Sequence, residues 1–291
     1  MPPLRRSLRL RGLHADPVDN NGPPPRKKQS APKANKKKPN DSTLPPDSLP
    51  RTIETQLLLC NNYTTILGVD EAGRGPLAGP VVAAAAYVPQ ILPGIVDSKR
   101  TKDEATREAL YEALVASEGI RWAVAVVDAP RIDEINILQA TMQAMSMAVN
   151  ALVEPESVVV LPEASVEQQG CYVVCPRKAT TLSKDKTYAL IDGNRVPNDL
   201  PCAAQAVVRG DSKEYAIASA SILAKVTRDR LMNAYDTLYP EYNLKQHKGY
   251  PTQAHMEAVK QWGATPIHRR TFAPLKHMTL DAQGRVVEEE R

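Results

Sequence analysis

Apolar residues in this chain come in short runs whose period changes along the sequence. Ile66–Asp70 and Pro80–Val88 are brief and closed by polar or turn residues. The second is a continuous series of small and branched side chains, which suits a strand covered on both faces, although a short buried helix reads the same way. Ile120–Asp128, Val158–Leu161, Tyr188–Asp192 and Cys202–Val208 have the same strand-like character. Thr101–Ser117 and Asn136–Leu152 predict helices, as does Thr252–Trp262. Lys213–Ala234 is strongly helical; Ala and Ser crowd its first half among Ile217, Ile222 and Leu223, so it can pack closely. Strands mixed with helices predict an α/β domain, mainly helical after about residue 212.

The pattern is missing from the first fifty residues. They hold eleven of the 25 prolines and the clusters Arg26-Lys27-Lys28 and Lys36-Lys37-Lys38. Residues 1–51 therefore read as a disordered basic arm. Its opening, MPPLRRSLRLRGLH, has four arginines and no acid, a composition that fits an organelle presequence, although Pro2 and Pro3 start a helix badly. The later clusters fit a nuclear import signal, a nucleic-acid anchor or a plain solvated linker. Residues 1–50 carry a net charge of +7 against +4 for the whole chain, which leaves the remainder near −3. A bulk-charge argument for nucleic-acid binding rests on the arm alone.

With 291 residues and 42% hydrophobic content, the chain can bury a sizeable core, and with one Phe that core must be aliphatic. No apolar run approaches the ~20 residues of a membrane span. Cys171 and Cys175 form a C-x3-C pair with no second pair or His nearby, so no complete local zinc set can be written; reduced thiols are the simpler reading.

Candidate chemistry sits at the ends of the predicted strands. Asp70 and Glu71 end the first; Asp192 ends Tyr188–Asp192; Asp211 stands between Cys202–Val208 and the long helix. Ligand sites of open α/β sheets gather at such ends. Singly, Asp211 reads as a helix cap and Asp192-Gly193-Asn194 as a turn. Three strand-end acids, one of them doubled, point instead to a divalent-cation site. Neighbours on a regular strand face opposite ways, so for Asp70 and Glu71 to share a site, either the backbone twists at Ala72-Gly73 or Glu71 reaches round. Gly73-Arg74-Gly75 follows at once and lets a ligand approach bare backbone. The glycines do not make a dinucleotide fingerprint, because Pro76 and a strand follow where a helix should start. No phosphate-binding G-x4-G-K-[ST] loop and no G-x-S-x-G elbow is present.

Seven blocks carry a more specific signal: GVDEAGRGPLAGPVVAAA, the DSK of Asp97–Lys99, DEINILQATMQAM from Asp133, LIDGNRVP from Leu190, GDS of Gly210–Ser212, ASASILAKVTRDRLM from Ala218 and YPEYNLKQHKGYPTQAH from Tyr239. In that order, over about residues 65–275, they resemble type 2 ribonuclease H (ribonuclease HII) in its bacterial single-chain form. The resemblance implies an α/β fold, an RNase H-like mixed β-sheet flanked by helices with a C-terminal helical extension. It divides the chain into the arm (1–51), a catalytic core (52–211) and a helical part completing the substrate groove (212–291). It also implies that Asp70, Glu71, Asp192 and Asp211 are catalytic acids holding two Mg²⁺ or Mn²⁺ ions. Gly73, Arg74 and Gly75 would sense a ribose 2′-hydroxyl, Tyr250 would pack on the neighbouring sugar, and Lys99 would lie near the reacting phosphate.

The implied reaction is cleavage of RNA–DNA hybrids, and of duplex DNA on the 5′ side of an embedded ribonucleotide, leaving 3′-hydroxyl and 5′-phosphate ends. It implies roles in ribonucleotide removal and DNA replication and repair, with a single active chain. Two ions held by clustered carboxylates, roughly 4 Å apart, suit phosphodiester hydrolysis, and the 2′-hydroxyl is what distinguishes RNA from DNA at one residue. An inactive RNA–DNA-binding protein and a DNA-processing nuclease of the wider superfamily remain as alternatives. Lys225, Arg228, Arg230 and His268-Arg269-Arg270 read equally as phosphate contacts or as a solvated face. Met142, Met145 and Met147 read as core. The chain departs from the family in its arm and in an insertion near 161–187, where a surface loop or hairpin is tolerated. A bacterial-like sequence behind an Arg-rich extension favours the mitochondrion, with the nucleus as the alternative.

Overall fold

The computed structural model describes residues 49–96, 101, 103–157, 160–161, 163–176, 181–281, 284–285 and 287. Lys99 and the arm up to residue 48 lie outside them.

Strands β1 (Thr65–Ala72), β2 (Val81–Tyr87), β3 (Arg121–Val127), β4 (Val160–Leu161), β5 (Tyr172–Val174), β6 (Thr187–Asp192) and β7 (Ala203–Val207) form one mixed sheet, ordered β4-β5-β3-β2-β1-β6-β7. β1, β2 and β3 form an antiparallel meander. β6 lies parallel to β1, and β7 parallel to β6. The helices are α1 (Thr52–Cys60), α2 (Glu104–Ala116), α3 (Ala129–Val153), α4 (Tyr215–Leu238), α5 (Leu244–His247) and α6 (Gln253–Trp262).

Alternation along the central strands sends side chains to two cores. Leu67, Val69, Ala83, Ala85 and Ala125 face α3 through Ile132, Ala144, Met145 and Leu152. Val82, Ala84, Trp122 and Val124 face α2 and α4 through Leu110, Leu114, Ile222 and Val226. Small residues let α4 come down onto the sheet: a Cβ on Gly68 would lie 2.0 Å from the carbonyl carbon of Ala216. A further core gathers Leu77, Met232, Tyr242, Val259 and Ile267, joining the C-terminal helices to the loop after β1. Among the described residues, no helix is long and apolar enough to cross a membrane.

Capping explains several helix starts. The Asp103 carboxylate accepts from the Thr106 N–H at 2.9 Å and so caps α2. Asp128 does the same for α3 through Arg131. α3 begins seven residues before the predicted Asn136, but it is broken there: Asn136 has φ 68° and ψ 162°, and its side-chain oxygen caps Leu138 and Gln139. α1 and α4 cap one another. Glu214 accepts from the Ile53 N–H at 3.0 Å, Glu54 accepts from the Ala216 N–H at 2.9 Å, and Arg51 pairs with Glu54 at 2.9 Å.

The segment 161–187 is more than a surface loop or hairpin. It supplies β5, whose buried Tyr172, Val173 and Val174 are inserted between β3 and β4. That lies towards the sheet edge opposite β7. β6 keeps its register with β1, Thr65 opposite Thr187 through Val69 opposite Ile191.

Candidate active site

The β1–β6 ladder ends at Val69 and Ile191, and the next residue on each strand is an aspartate. Asp70 and Asp192 thus sit at the carboxyl ends of adjacent parallel strands. Asp70, Glu71 and Asp192 each bring one carboxylate oxygen within 4.8 Å of the others. β1 remains paired with β2 through Glu71–Ala83 and Ala72–Val82, so no backbone break precedes Gly73. Glu71 joins the cluster by side-chain reach, beyond the point where β1 and β6 cease to pair.

Each of these acids is held above its ordinary range. Asp70 is buried, and burial raises its carboxyl most; the charges of Glu71 and Asp192 add to this. The Ser221 hydroxyl and the Glu71 N–H, 2.7 Å from Oδ1, act in the opposite sense. Burial also raises Glu71, opposed by the Arg74 guanidinium at 3.3 Å. Asp192 is raised by burial and by the charge of Asp211, while the Gly210 N–H, 2.6 Å from Oδ1, favours its ionised form. Desolvated acids this close must share protons or bind a cation. An all-oxygen donor set suits a hard divalent ion.

Asp211 is buried in the 3-10 turn Gly210–Ser212, beside Asp192 but outside the three-acid group. Its own N–H lies 3.4 Å from Asp192 Oδ1. A cleft of about 230 Å³ opens onto the cluster, lined by Glu71, Arg74, Met142, Asp192 and Arg195 among others.

The glycine turn lies immediately beyond. Gly73 has φ +95°, and a Cβ there would lie 2.1 Å from Arg228 Nε, so only glycine fits. A Cβ on Gly75 would stand 3.4 Å from Tyr250 Cε1. The structure therefore brings Tyr250, half-exposed, against the turn that follows the acids.

Two of the basic residues behave differently from either sequence expectation, whereas Arg230 lies on a solvated face. Arg228 is 1% exposed and Arg269 is 0% exposed, so both are interior groups. Lys225 pairs with Asp229, and Arg230 with Glu108 and Glu112 on α2. The sequence reading offers no role for Ser221, and for Arg228 only a phosphate contact or a solvated face. Their seven-residue spacing puts them on one face of α4, which was the available signal.

The family model described as Ribonuclease HII matches residues 67–275. A Ribonuclease HII of Marinomonas sp. (strain MWYL1) is 45% identical over 214 residues, covering 72% of this chain and 91% of that protein. A Ribonuclease HII of Chlamydia pneumoniae is 38% identical over 223 residues, covering 76% and 89%. The crystal structure of the ribonuclease H2 from Pyrococcus horikoshii OT3 is similar in fold, with a TM-score of 0.52 and 23% identity, covering 74% of this chain and 96% of that one.

Proposed function

This chain belongs to the ribonuclease HII family and is a metal-dependent endoribonuclease; we propose that it cuts the RNA strand of RNA–DNA hybrids and incises duplex DNA 5′ to embedded ribonucleotides. The products are 3′-hydroxyl and 5′-phosphate ends. The observation that carries this reading is the convergence of Asp70, Glu71 and Asp192 beside a glycine turn that Tyr250 flanks.

Asp70, Glu71 and Asp192, with Asp211 alongside, would hold two Mg²⁺ or Mn²⁺ ions, which supply water activation and neutralise the leaving oxygen. The chain's own residues do the selecting. Gly73-Arg74-Gly75 offers backbone to a sugar edge, so a 2′-hydroxyl can be sensed without reading the base. Tyr250 packs on the following sugar, where a deoxyribose fits closest. Arg74 balances Glu71 and faces solvent, where a phosphate can approach.

Residues 52–211 form the catalytic core and 212–291 complete the groove, in a single active chain that serves ribonucleotide removal during replication and repair. The arm directs the protein to the mitochondrion. Imaging a fluorescent fusion with and without residues 1–50 tests this; nuclear or purely cytosolic signal contradicts it.

The functional test is a DNA duplex holding one ribonucleotide, incubated with Mg²⁺, with Mn²⁺ and with chelator. A metal-dependent nick 5′ to the ribonucleotide is expected, and none in an all-DNA duplex. Binding without a nick would make the protein an inactive duplex binder.

A further inference from the structure

His268 and Arg269 lie against the glycine loop just after a turn closed by the His268 N–H and the Thr265 carbonyl. Ala78 and His268 form an antiparallel bridge. The Gly79 N–H donates to the Ile267 carbonyl, and the Arg269 N–H to the Leu77 carbonyl, each at 2.8 Å. The His268 and Arg269 side chains serve two different loops.

Arg269 turns to the loop after β1. Its guanidinium donates to the carbonyls of Gly73 (2.6 Å), Arg74 (3.1 Å), Pro76 (2.8 Å) and Gly79 (2.9 Å). The loop's oxygens are thereby tied inward. Arg228 adds the carbonyls of Ala78, Pro80 and Lys248, and so links this loop to the one carrying Tyr250.

His268 turns the other way. Its Nδ1 accepts from the Thr265 N–H at 3.1 Å, so its own proton is on Nε2. That nitrogen is 3.1 Å from His255 Nε2, and His255 Nδ1 is 2.9 Å from the Tyr250 carbonyl. A carbonyl only accepts, so His255 donates to it from Nδ1 and accepts from His268 at Nε2. The chain runs in one direction, from Thr265 to the backbone of Tyr250. Burial keeps both rings neutral, lowering His255 to about 4 and His268 to about 3.

We propose that His268 and Arg269 are positioning residues that fix the spacing between the glycine turn and Tyr250, and so select a ribonucleotide followed by a deoxyribonucleotide. This rests on the roles given above to Gly73–Gly75 and Tyr250. Both side chains are buried and act through the loops they hold. A lysine at 269 would present one ammonium where a planar fork now spans four carbonyls.

The test compares wild type, Arg269→Lys and His268→Gln on a duplex with one ribonucleotide and on an RNA–DNA hybrid. Mn²⁺ affinity by calorimetry and melting temperature are measured alongside. A misplacement of about 1 Å can cost ~100-fold, so kcat on the single-ribonucleotide duplex should fall ~10–100-fold. The hybrid should lose clearly less, KM should move little, and Mn²⁺ affinity should stay at the wild-type value. Folded variants that lose both activities in parallel, or keep the wild-type ratio, overturn the proposal. If Arg269→Lys does not fold, His268→Gln decides; if that also fails, Thr265→Val, which strips the hydroxyl 2.9 Å from His268 Nδ1, decides by the same ratio. A wild type that nicks neither duplex overturns the enzymatic function itself, a separate result.

Discussion

The acid cluster and the arginine-held loop are neighbours along the chain, yet they bury charge for opposite reasons. Asp70, Glu71 and Asp192 crowd like charges whose full neutralisation is left to something outside the protein. Arg228 and Arg269 are buried more deeply, but seven hydrogen bonds to the protein's own carbonyls surround them. The first region stores a cost that a ligand relieves; the second spends its charge on rigidity. Variants should therefore split, with losses of activity in one and losses of stability in the other.

The largest effect separates the regions outright. Asp192→Asn should lower single-turnover cleavage by at least ~100-fold while duplex binding by fluorescence anisotropy is largely kept. Equal loss of both would make Asp192 structural and erase the contrast. On the other side, Arg228→Met leaves three carbonyls without their donor and should cost roughly 3 kcal/mol or more in denaturant unfolding. Asp70→Asn should do the reverse, raising the stability of the metal-free protein by about 1 kcal/mol, or ~2–4 °C in melting temperature, while removing activity.

Titration sharpens the same comparison. The acids have folded values above their unfolded ones, so their contribution to stability is full at low pH and is lost as pH rises through the folded values. A divalent ion relieves that loss, so Mg²⁺ should raise the melting temperature more at pH 8 than at pH 5. His255 and His268 have folded values lowered to about 4 and about 3, so their contribution is full above ~6.5 and is lost as pH falls towards those values. Thermal melts from pH 8 to 4, with and without Mg²⁺, separate the two slopes. The smallest expected effect is Gly75→Ala. Its Cβ meets Tyr250 at ordinary contact distance, so melting should change by less than ~0.5 kcal/mol while single-ribonucleotide cleavage falls several-fold. Unchanged cleavage would remove the backbone-sensing role.

The two regions also differ in how legible they were. β1, β2, β3, β6 and β7 follow from compact apolar runs, and strand-end acids are visible because each terminates such a run. β5 was missed because three residues are too few to set a period. α1 was missed although its sequence TIETQLLLC is short and plain, because Glu54 looks solvated and is in fact buried as the cap of α4. Arg228 and Arg269 read from sequence as phosphate contacts or a solvated face because all but one of their partners are backbone carbonyls 148 to 196 residues away in sequence. Composition says nothing of such partners. Glu71 was legible as a candidate, but its shared face with Asp70 depended on how β1 and β6 part company.

The mutual capping of α1 and α4 sets a limit on trimming from the N-terminal side. Pro50 accepts from the Tyr215 N–H, and Glu54 closes the first turn of the helix that carries Ser221 to Asp70. Proteolysis that stops before Pro50 leaves that joint whole. A cut a few residues further in would open the front end of α4, and the loss would be felt at the clustered acids rather than at the severed end.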